Sequence, residues 1–95
     1  MILIADGGST KVDWVALDKS TGEELFRCRT HGLNPALLST EALRDRVIHN
    51  FQLNQKKQTV NKVFFYGAGC GTPEASQKLK KVLQTVFKNA TIEVA

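Results

Sequence analysis

Long hydrophobic runs and paired cysteines are both absent from this sequence of 95 residues. Its first apolar run, Ile2 to Ala5, has four residues, which is far too short for a secretory signal core or a membrane span. The two cysteines, Cys28 and Cys70, lie far apart and form no CxxC pair. These absences favour a cytoplasmic protein with reduced thiols and no association with membranes.

A strong charge of one sign is also missing. The net charge is +4, and the lysines and arginines are scattered, with short clusters only at Lys56-Lys57 and from Lys78 to Lys81. A nucleic-acid-binding domain usually concentrates its positive charge on one face, with aromatic side chains between the basic ones. We therefore expect no nucleic-acid partner and interpret the basic residues as solvated helix faces. A chain of this length forms at most one small domain.

The hydrophobic pattern of the first third predicts an antiparallel meander of three strands. The run Ile2–Ala5 is continuously apolar, as is typical of a strand that is buried on both faces. The second strand, Val12–Leu17, is apolar on both faces except at Asp13. The third strand, "ELFRCRT", alternates and places Arg27 and Arg29 on one face, which suits an edge strand.

The rest of the sequence predicts two helices that alternate with two strands. A helix begins after Ser39 or Thr40 and runs to about Leu53. Its apolar stripe comprises Leu43, Val47, Ile48 and Phe51. The strand "KVFFY", a helix capped by Thr72 with Pro73 in its first turn, and the strand "TIEVA" follow. Two helical crossovers require the later strands to run parallel. The order β-β-β-α-β-α-β therefore predicts an α/β fold with a mixed five-stranded sheet of the ribonuclease H-like arrangement.

The loop "DGGSTK" between the first two strands is the strongest candidate binding site. It contains Asp6, Gly7, Gly8, Ser9, Thr10 and Lys11. The glycines can adopt positive φ and bring backbone N–H groups close to a ligand, and the hydroxyls and the lysine add donors and a cation. Asp6 would be repelled by a phosphate unless a cation stood between them, which suggests Mg²⁺ held largely through water. The alternative is a tight turn that Asp6 caps; the loop is not a Walker A motif.

"DGGSTK" in this position resembles the first phosphate motif of the sugar kinase, actin and heat-shock chaperone superfamily. The resemblance is greatest to the N-acetylglucosamine kinase-like ATPases of the BadF/BadG/BcrA/BcrD type, which commonly read D-G-G-G-T-K/R-T/S. Ser9 stands where a third glycine is usual, and Val12 where a small hydroxyl residue is usual. The resemblance implies that Asp6 to Lys11 bind the phosphates of ATP and that Asp6 faces Mg²⁺.

Two further loops extend the resemblance. "HGLNP" is similar to a kinase loop that reaches the sugar, which implies that Asn34 hydrogen-bonds a sugar hydroxyl; the alternative is a turn before a helix. "GAGCGT" is similar to a small glycine loop at the substrate cleft, with Gly69 as the candidate residue and Cys70 as a packing residue. Its reading as a dinucleotide-binding motif is disfavoured because Thr72 occupies the third glycine position.

The resemblance implies an ATP-dependent sugar kinase that acts on N-acetylglucosamine or a related amino sugar, with ATP and Mg²⁺ as cofactors. A non-kinase ATPase of the BadF type, which switches a partner protein, is the alternative. A nuclease of the ribonuclease H type is disfavoured because Tyr66 stands where that fold carries an acid. By the resemblance, residues 1–95 are the N-terminal, actin-like ATPase lobe of a longer protein. The resemblance implies that the catalytic base lies beyond Ala95 and that this lobe packs against a second lobe of the same protein. It does not decide whether the protein forms a homodimer.

Overall fold

A computed structural model describes residues 1–95 and shows an α/β fold built on a mixed five-stranded sheet. The strands are β1 (Ile2–Gly7), β2 (Lys11–Leu17), β3 (Glu24–His31), β4 (Lys62–Gly67) and β5 (Thr91–Val94). Their order across the sheet is β3-β2-β1-β4-β5. The first three strands form an antiparallel meander, and β4 runs parallel to both β1 and β5. The predicted meander, the edge position of the third strand and the parallel later strands are confirmed.

The first predicted helix is two helices in the structure. Helix α1 (Thr40–Ile48) ends before Asn50, and a separate helix α2 (Phe51–Lys56) follows, with a short 3₁₀ turn after it. The prediction of one helix to about Leu53 is therefore wrong. Asn50 causes the break because its side-chain oxygen accepts a hydrogen bond from the Leu53 N–H at 3.0 Å and caps a new helix. The break also turns Phe51 away from the core, and 75% of it is exposed.

The other helix boundaries follow the predicted capping residues. The Ser39 side chain accepts a hydrogen bond from the Ala42 N–H and begins α1. Helix α3 (Pro73–Val86) begins after Thr72, whose hydroxyl accepts from the Ala75 N–H. Proline suits this first turn because its missing N–H would have no helical partner there. No helix in the chain has the length and the apolar character that a membrane crossing requires.

The helices cover only one face of the sheet. Leu3 and Ala5 on β1 are fully buried, whereas the alternate residues Ile2 and Ile4 are half-buried. The prediction that β1 is buried on both faces is therefore wrong within this chain. We call the uncovered side the open face; it carries Ile4, Asp6, Asp13, Val15, Arg27, Arg29, Phe64 and Tyr66.

A buried hydrogen bond inside the covered face gives a first testable expectation. The Trp14 indole N–H donates to the Thr30 hydroxyl at 3.1 Å, and the Trp14 ring packs edge-on against Phe65. Thr30→Val keeps the shape of the side chain but leaves the indole N–H without an acceptor. We expect it to lower the free energy of unfolding by about 1–3 kcal/mol, measured by urea denaturation. Thr91→Val, on an exposed residue of β5, is the control, and equal midpoints for the two variants would contradict the expectation.

Candidate functional site

Three loops meet at one edge of the sheet. The DGGSTK loop joins β1 to β2, the GLNP loop (residues 32–38) follows β3, and the GAGCG loop (residues 67–71) follows β4. Because β1, β3 and β4 run in the same direction, their carboxyl ends lie at the same edge. The Gly32 N–H donates to the Thr10 carbonyl at 3.0 Å, and the Ala68 N–H donates to the Gly7 carbonyl at 3.1 Å. These bonds bring the three motifs together.

The DGGSTK loop forms a tight turn with two free backbone donors at its tip. The Gly8 N–H donates to the Lys11 carbonyl at 2.9 Å and closes the turn, so it is not available to a ligand. The backbone N–H groups of Ser9 and Thr10 donate to no acceptor within the chain. Both side chains are exposed, as is that of Lys11. The arrangement offers an anion two N–H groups, two hydroxyls and one ammonium group.

Space, and not a left-handed backbone, explains a glycine at position 7. Neither Gly7 nor Gly8 has a positive φ, so that prediction is wrong. A Cβ atom on Gly7 would lie 3.0 Å from a methyl carbon of Val12 and 3.3 Å from the Phe65 ring. The close packing of the loop against the core therefore favours glycine at this position.

Asp6 is the free carboxylate beside this loop. It is exposed at the end of β1, directly opposite Asp13 on β2 and Tyr66 on β4. Arg29 donates from its Nε to Asp13 Oδ1 at 2.7 Å, and this contact lowers the pKa of Asp13. Asp6 forms no ion pair and no hydrogen bond through its side chain, so it does not cap the turn. No group of three or more His, Cys, Asp or Glu side chains is placed to hold a metal ion.

Asp13 was not singled out as a candidate from the sequence, although it lies across from Asp6. Its only signal was that it is the one polar residue in an otherwise apolar strand. Like charges directly opposite each other on neighbouring strands are unfavourable. The pairing of Asp13 with Arg29 offsets this repulsion. Of these two carboxylates, Asp6 is the one without a partner in the chain.

Asn34 forms the turn that was one of the two alternatives considered for it. Its Oδ1 accepts from the Ala36 N–H at 2.9 Å, and its carbonyl accepts from the Leu37 and Leu38 N–H groups at 3.1 and 3.0 Å. The residue therefore does form a turn. The Nδ2 group makes no hydrogen bond within the chain, so the amide retains a donor for a ligand while its acceptor is occupied.

Gly69 lies directly against Asn34. Its φ is +79°, in the left-handed region that favours glycine. A Cβ atom added at Gly69 would lie 1.8 Å from Asn34 Oδ1, so any side chain there would displace the amide. The structure thus brings together the two residues predicted to bind substrate. The neighbouring Cys70 is buried, and burial raises the pKa of its thiol, which fits a packing role.

Gly32 was not predicted as a site residue, yet it joins two of the loops. It is buried, and a Cβ atom on it would lie 2.0 Å from the Ser9 carbonyl oxygen. The sequence signal was weak, since a single glycine before "LNP" is common in turns. Close approach of the two backbones at this point is what allows the Gly32 N–H to reach Thr10.

Gly32→Ala is expected to push the DGGSTK loop away from the GLNP loop. A methyl group cannot fit between the two backbones, and overpacking of this kind costs about 1–3 kcal/mol of stability. Chemical denaturation measures the cost, and amide chemical shifts of Ser9 and Thr10 report the displacement. Gly71→Ala is the matched control, because a Cβ atom there meets nothing within 4 Å. Equal stability and unchanged shifts in both variants would contradict the expected displacement.

Comparison with solved structures relates the chain to a kinase-like protein. No protein-family model and no curated protein matches the chain. Among solved structures, the chain is similar over its whole length to the "Putative N-acetylglucosamine Kinase" from Porphyromonas gingivalis, with 36% sequence identity and a TM-score of 0.85. It spans 34% of that protein's chain, or about a third. The structural comparison thus supports a kinase-like α/β fold.

Proposed function

We propose that this chain is the N-terminal lobe of an ATP-dependent sugar kinase whose substrate is N-acetylglucosamine or a related amino sugar. The observation that carries the proposal is the convergence of the three loops at one sheet edge, in a chain that is 36% identical to a kinase-like structure. In open α/β sheets, ligands bind at the carboxyl ends of the strands. We also propose that the sheet, with its meander and its two parallel strands, is the ribonuclease H-like lobe of such an enzyme.

The DGGSTK loop is the proposed site for the phosphates of ATP. The free N–H groups of Ser9 and Thr10 and the ammonium group of Lys11 suit an anion that approaches the tip of the turn. Gly8 contributes no donor, because its N–H closes the turn. Charge neutralisation and positioning are the main requirements of phosphoryl transfer, and these groups supply both.

Asp6 is the residue that would hold Mg²⁺ in this proposal. It is exposed beside the loop, whereas the pairing of Asp13 with Arg29 removes the second carboxylate. A single carboxylate suits Mg²⁺, which usually keeps several water ligands and binds through one or two carboxylates together with substrate phosphates. When bound, Mg²⁺ neutralises charge on the phosphates.

Asn34 and Gly69 form the proposed edge of the sugar site. The free Nδ2 group of Asn34 would donate to a hydroxyl oxygen of the sugar, and the absence of a side chain at Gly69 leaves room for that amide. In this proposal the catalytic base lies beyond Ala95, just past the fifth strand, and the adenosine-binding residues belong to the second lobe of a longer protein. We call this chain joined to that lobe the two-lobed protein, and we propose a cytoplasmic location for it.

Sugar-dependent turnover is the test of this proposal. The two-lobed protein should hydrolyse little ATP alone and should form ADP and a phosphorylated amino sugar when N-acetylglucosamine is added, with the product identified by mass spectrometry. ATP hydrolysis that no sugar accelerates would contradict the kinase proposal. That outcome would favour a non-kinase ATPase that switches a partner protein.

A further inference from the structure

Two basic side chains from two different helices donate hydrogen bonds to backbone carbonyls of the GLNP loop. Arg46 of α1 donates from Nη1 to the Gly32 carbonyl at 2.6 Å. Lys78 of α3 donates from Nζ to the Pro35 carbonyl at 3.1 Å and to the Leu38 carbonyl at 2.5 Å. The first contact lies at the start of the loop, and the other two lie at its middle and its end.

Neither of these side chains forms an ion pair or another hydrogen bond in the chain. The ion pairs of the chain are Arg27 with Glu24 and Arg29 with Asp13, so Arg46 and Lys78 have no carboxylate partner. Both are half-buried, and a long side chain that is fixed in one geometry loses rotamer freedom. Hydrogen bonds from a charged donor are about twice as strong as neutral ones, which offsets this loss. The contacts of these two side chains are therefore directed at the loop backbone.

Further hydrogen bonds to the GLNP loop also come from within the chain. The carbonyl of Asn34 accepts from Leu37 and Leu38, and its side-chain oxygen accepts from Ala36. Leu33 and Pro35, on either side of Asn34, are buried. The free Nδ2 group thus projects from a segment that is fixed on both sides. A site that is ordered before binding loses less conformational entropy when the ligand arrives.

We propose that Lys78 and Arg46 are positioning residues that hold the GLNP loop in its binding conformation before any ligand is present. This ordering of the loop involves only residues of this chain and does not depend on the proposed function. The consequence for the amino sugar rests on the proposed function: loss of Lys78 weakens sugar binding and leaves nucleotide binding unchanged.

Amide hydrogen exchange on the 95-residue chain tests the ordering. Lys78→Met keeps most of the length of the side chain but removes its charge and both of its hydrogen bonds to the loop. We expect the amides of Ala36, Leu37 and Leu38 to exchange at least about tenfold faster in this variant. Lys81→Met is the matched control, because Lys81 lies exposed on the same helix and donates to no carbonyl. Lys78→Arg, which restores a charged donor, should recover most of the protection.

Three results would overturn the proposal. One is exchange in Lys78→Met that equals exchange in Lys81→Met. Another is faster amide exchange throughout the chain, including β4, which would mean that Lys78 stabilises the whole fold and not the loop. The third is a flexible GLNP loop in the unchanged chain, with backbone order parameters below about 0.6.

A kinetic measurement separates this inference from the proposed function. In the two-lobed protein, Lys78→Met should raise the KM for the sugar about tenfold, with the KM for ATP unchanged and kcat within about twofold. An equal rise in both KM values would overturn the positioning role. If the unchanged protein shows no sugar-dependent turnover, the proposed function fails, while the exchange experiment still decides whether the cations order the loop.

Discussion

Asp6→Asn is expected to lower the Mg²⁺-dependent turnover of the two-lobed protein by roughly 10²–10³, which corresponds to a loss of about 2.7–4 kcal/mol of transition-state stabilisation. Asparagine keeps the size of the side chain and removes only its charge. Because the Asp6 carboxylate makes no hydrogen bond within the chain, its loss should leave the fold and its stability unchanged. Steady-state kinetics over a range of Mg²⁺ concentrations measure the effect, and circular dichroism checks the fold.

Asp13→Asn is the control for this experiment. Asp13 lies directly opposite Asp6, but its carboxylate is paired with Arg29. We expect its replacement to change turnover far less than the replacement of Asp6. Near-normal turnover in Asp6→Asn, or an equal loss in both variants, would remove Asp6 from the metal site.

The sequence predicts those parts of the fold that depend on local signals. The caps Ser39 and Thr72 act on N–H groups three residues away, and two arginines on one face identify the edge strand β3. The end of the first helix was missed because two local signals compete there. Phe51 continues the apolar periodicity, but the Asn50 cap begins a new helix and overrides it.

Burial depends on neighbours that a local pattern does not specify. The run from Ile2 to Ala5 shows correctly that both faces of β1 are apolar, but it cannot show what covers each face. In this chain helices cover Leu3 and Ala5, while Ile2 and Ile4 remain half-buried on the open face.

The candidate site was predicted as three separate motifs, and the contacts that join them could not be predicted. Lys78 reaches a carbonyl 43 residues earlier in the chain, and nothing in "QKLKK" distinguishes it from Lys80 or Lys81. The approach of Gly32 to Ser9 and of Gly69 to Asn34 likewise requires the loops to be placed by the folded sheet. Motif composition therefore indicates the kind of ligand, and only the fold shows which residues act as a unit.

The 95-residue chain alone is expected to bind Mg-ATP with a Kd of about 1 mM or weaker and to catalyse no phosphoryl transfer. The polar groups that would face the phosphates belong to Asp6, Ser9, Thr10 and Lys11, all of which are exposed. Contacts of exposed charged groups are screened by water and contribute about 0–1 kcal/mol each. The two charged groups, Asp6 and Lys11, together supply at most about 2 kcal/mol. A Kd of 1 mM requires about 4 kcal/mol, so binding at that level or weaker is expected.

Isothermal titration of Mg-ATP into the chain and into the two-lobed protein measures the difference directly. Lys11→Met serves as the control in both proteins, because it removes the one ammonium group of the DGGSTK loop and should weaken binding by either protein. Closure of two lobes around a nucleotide excludes water and strengthens each of these contacts, which a single exposed sheet edge cannot do. Micromolar binding by the chain alone would mean that the nucleotide site is complete within residues 1–95, and the two-lobe proposal would then have to be abandoned.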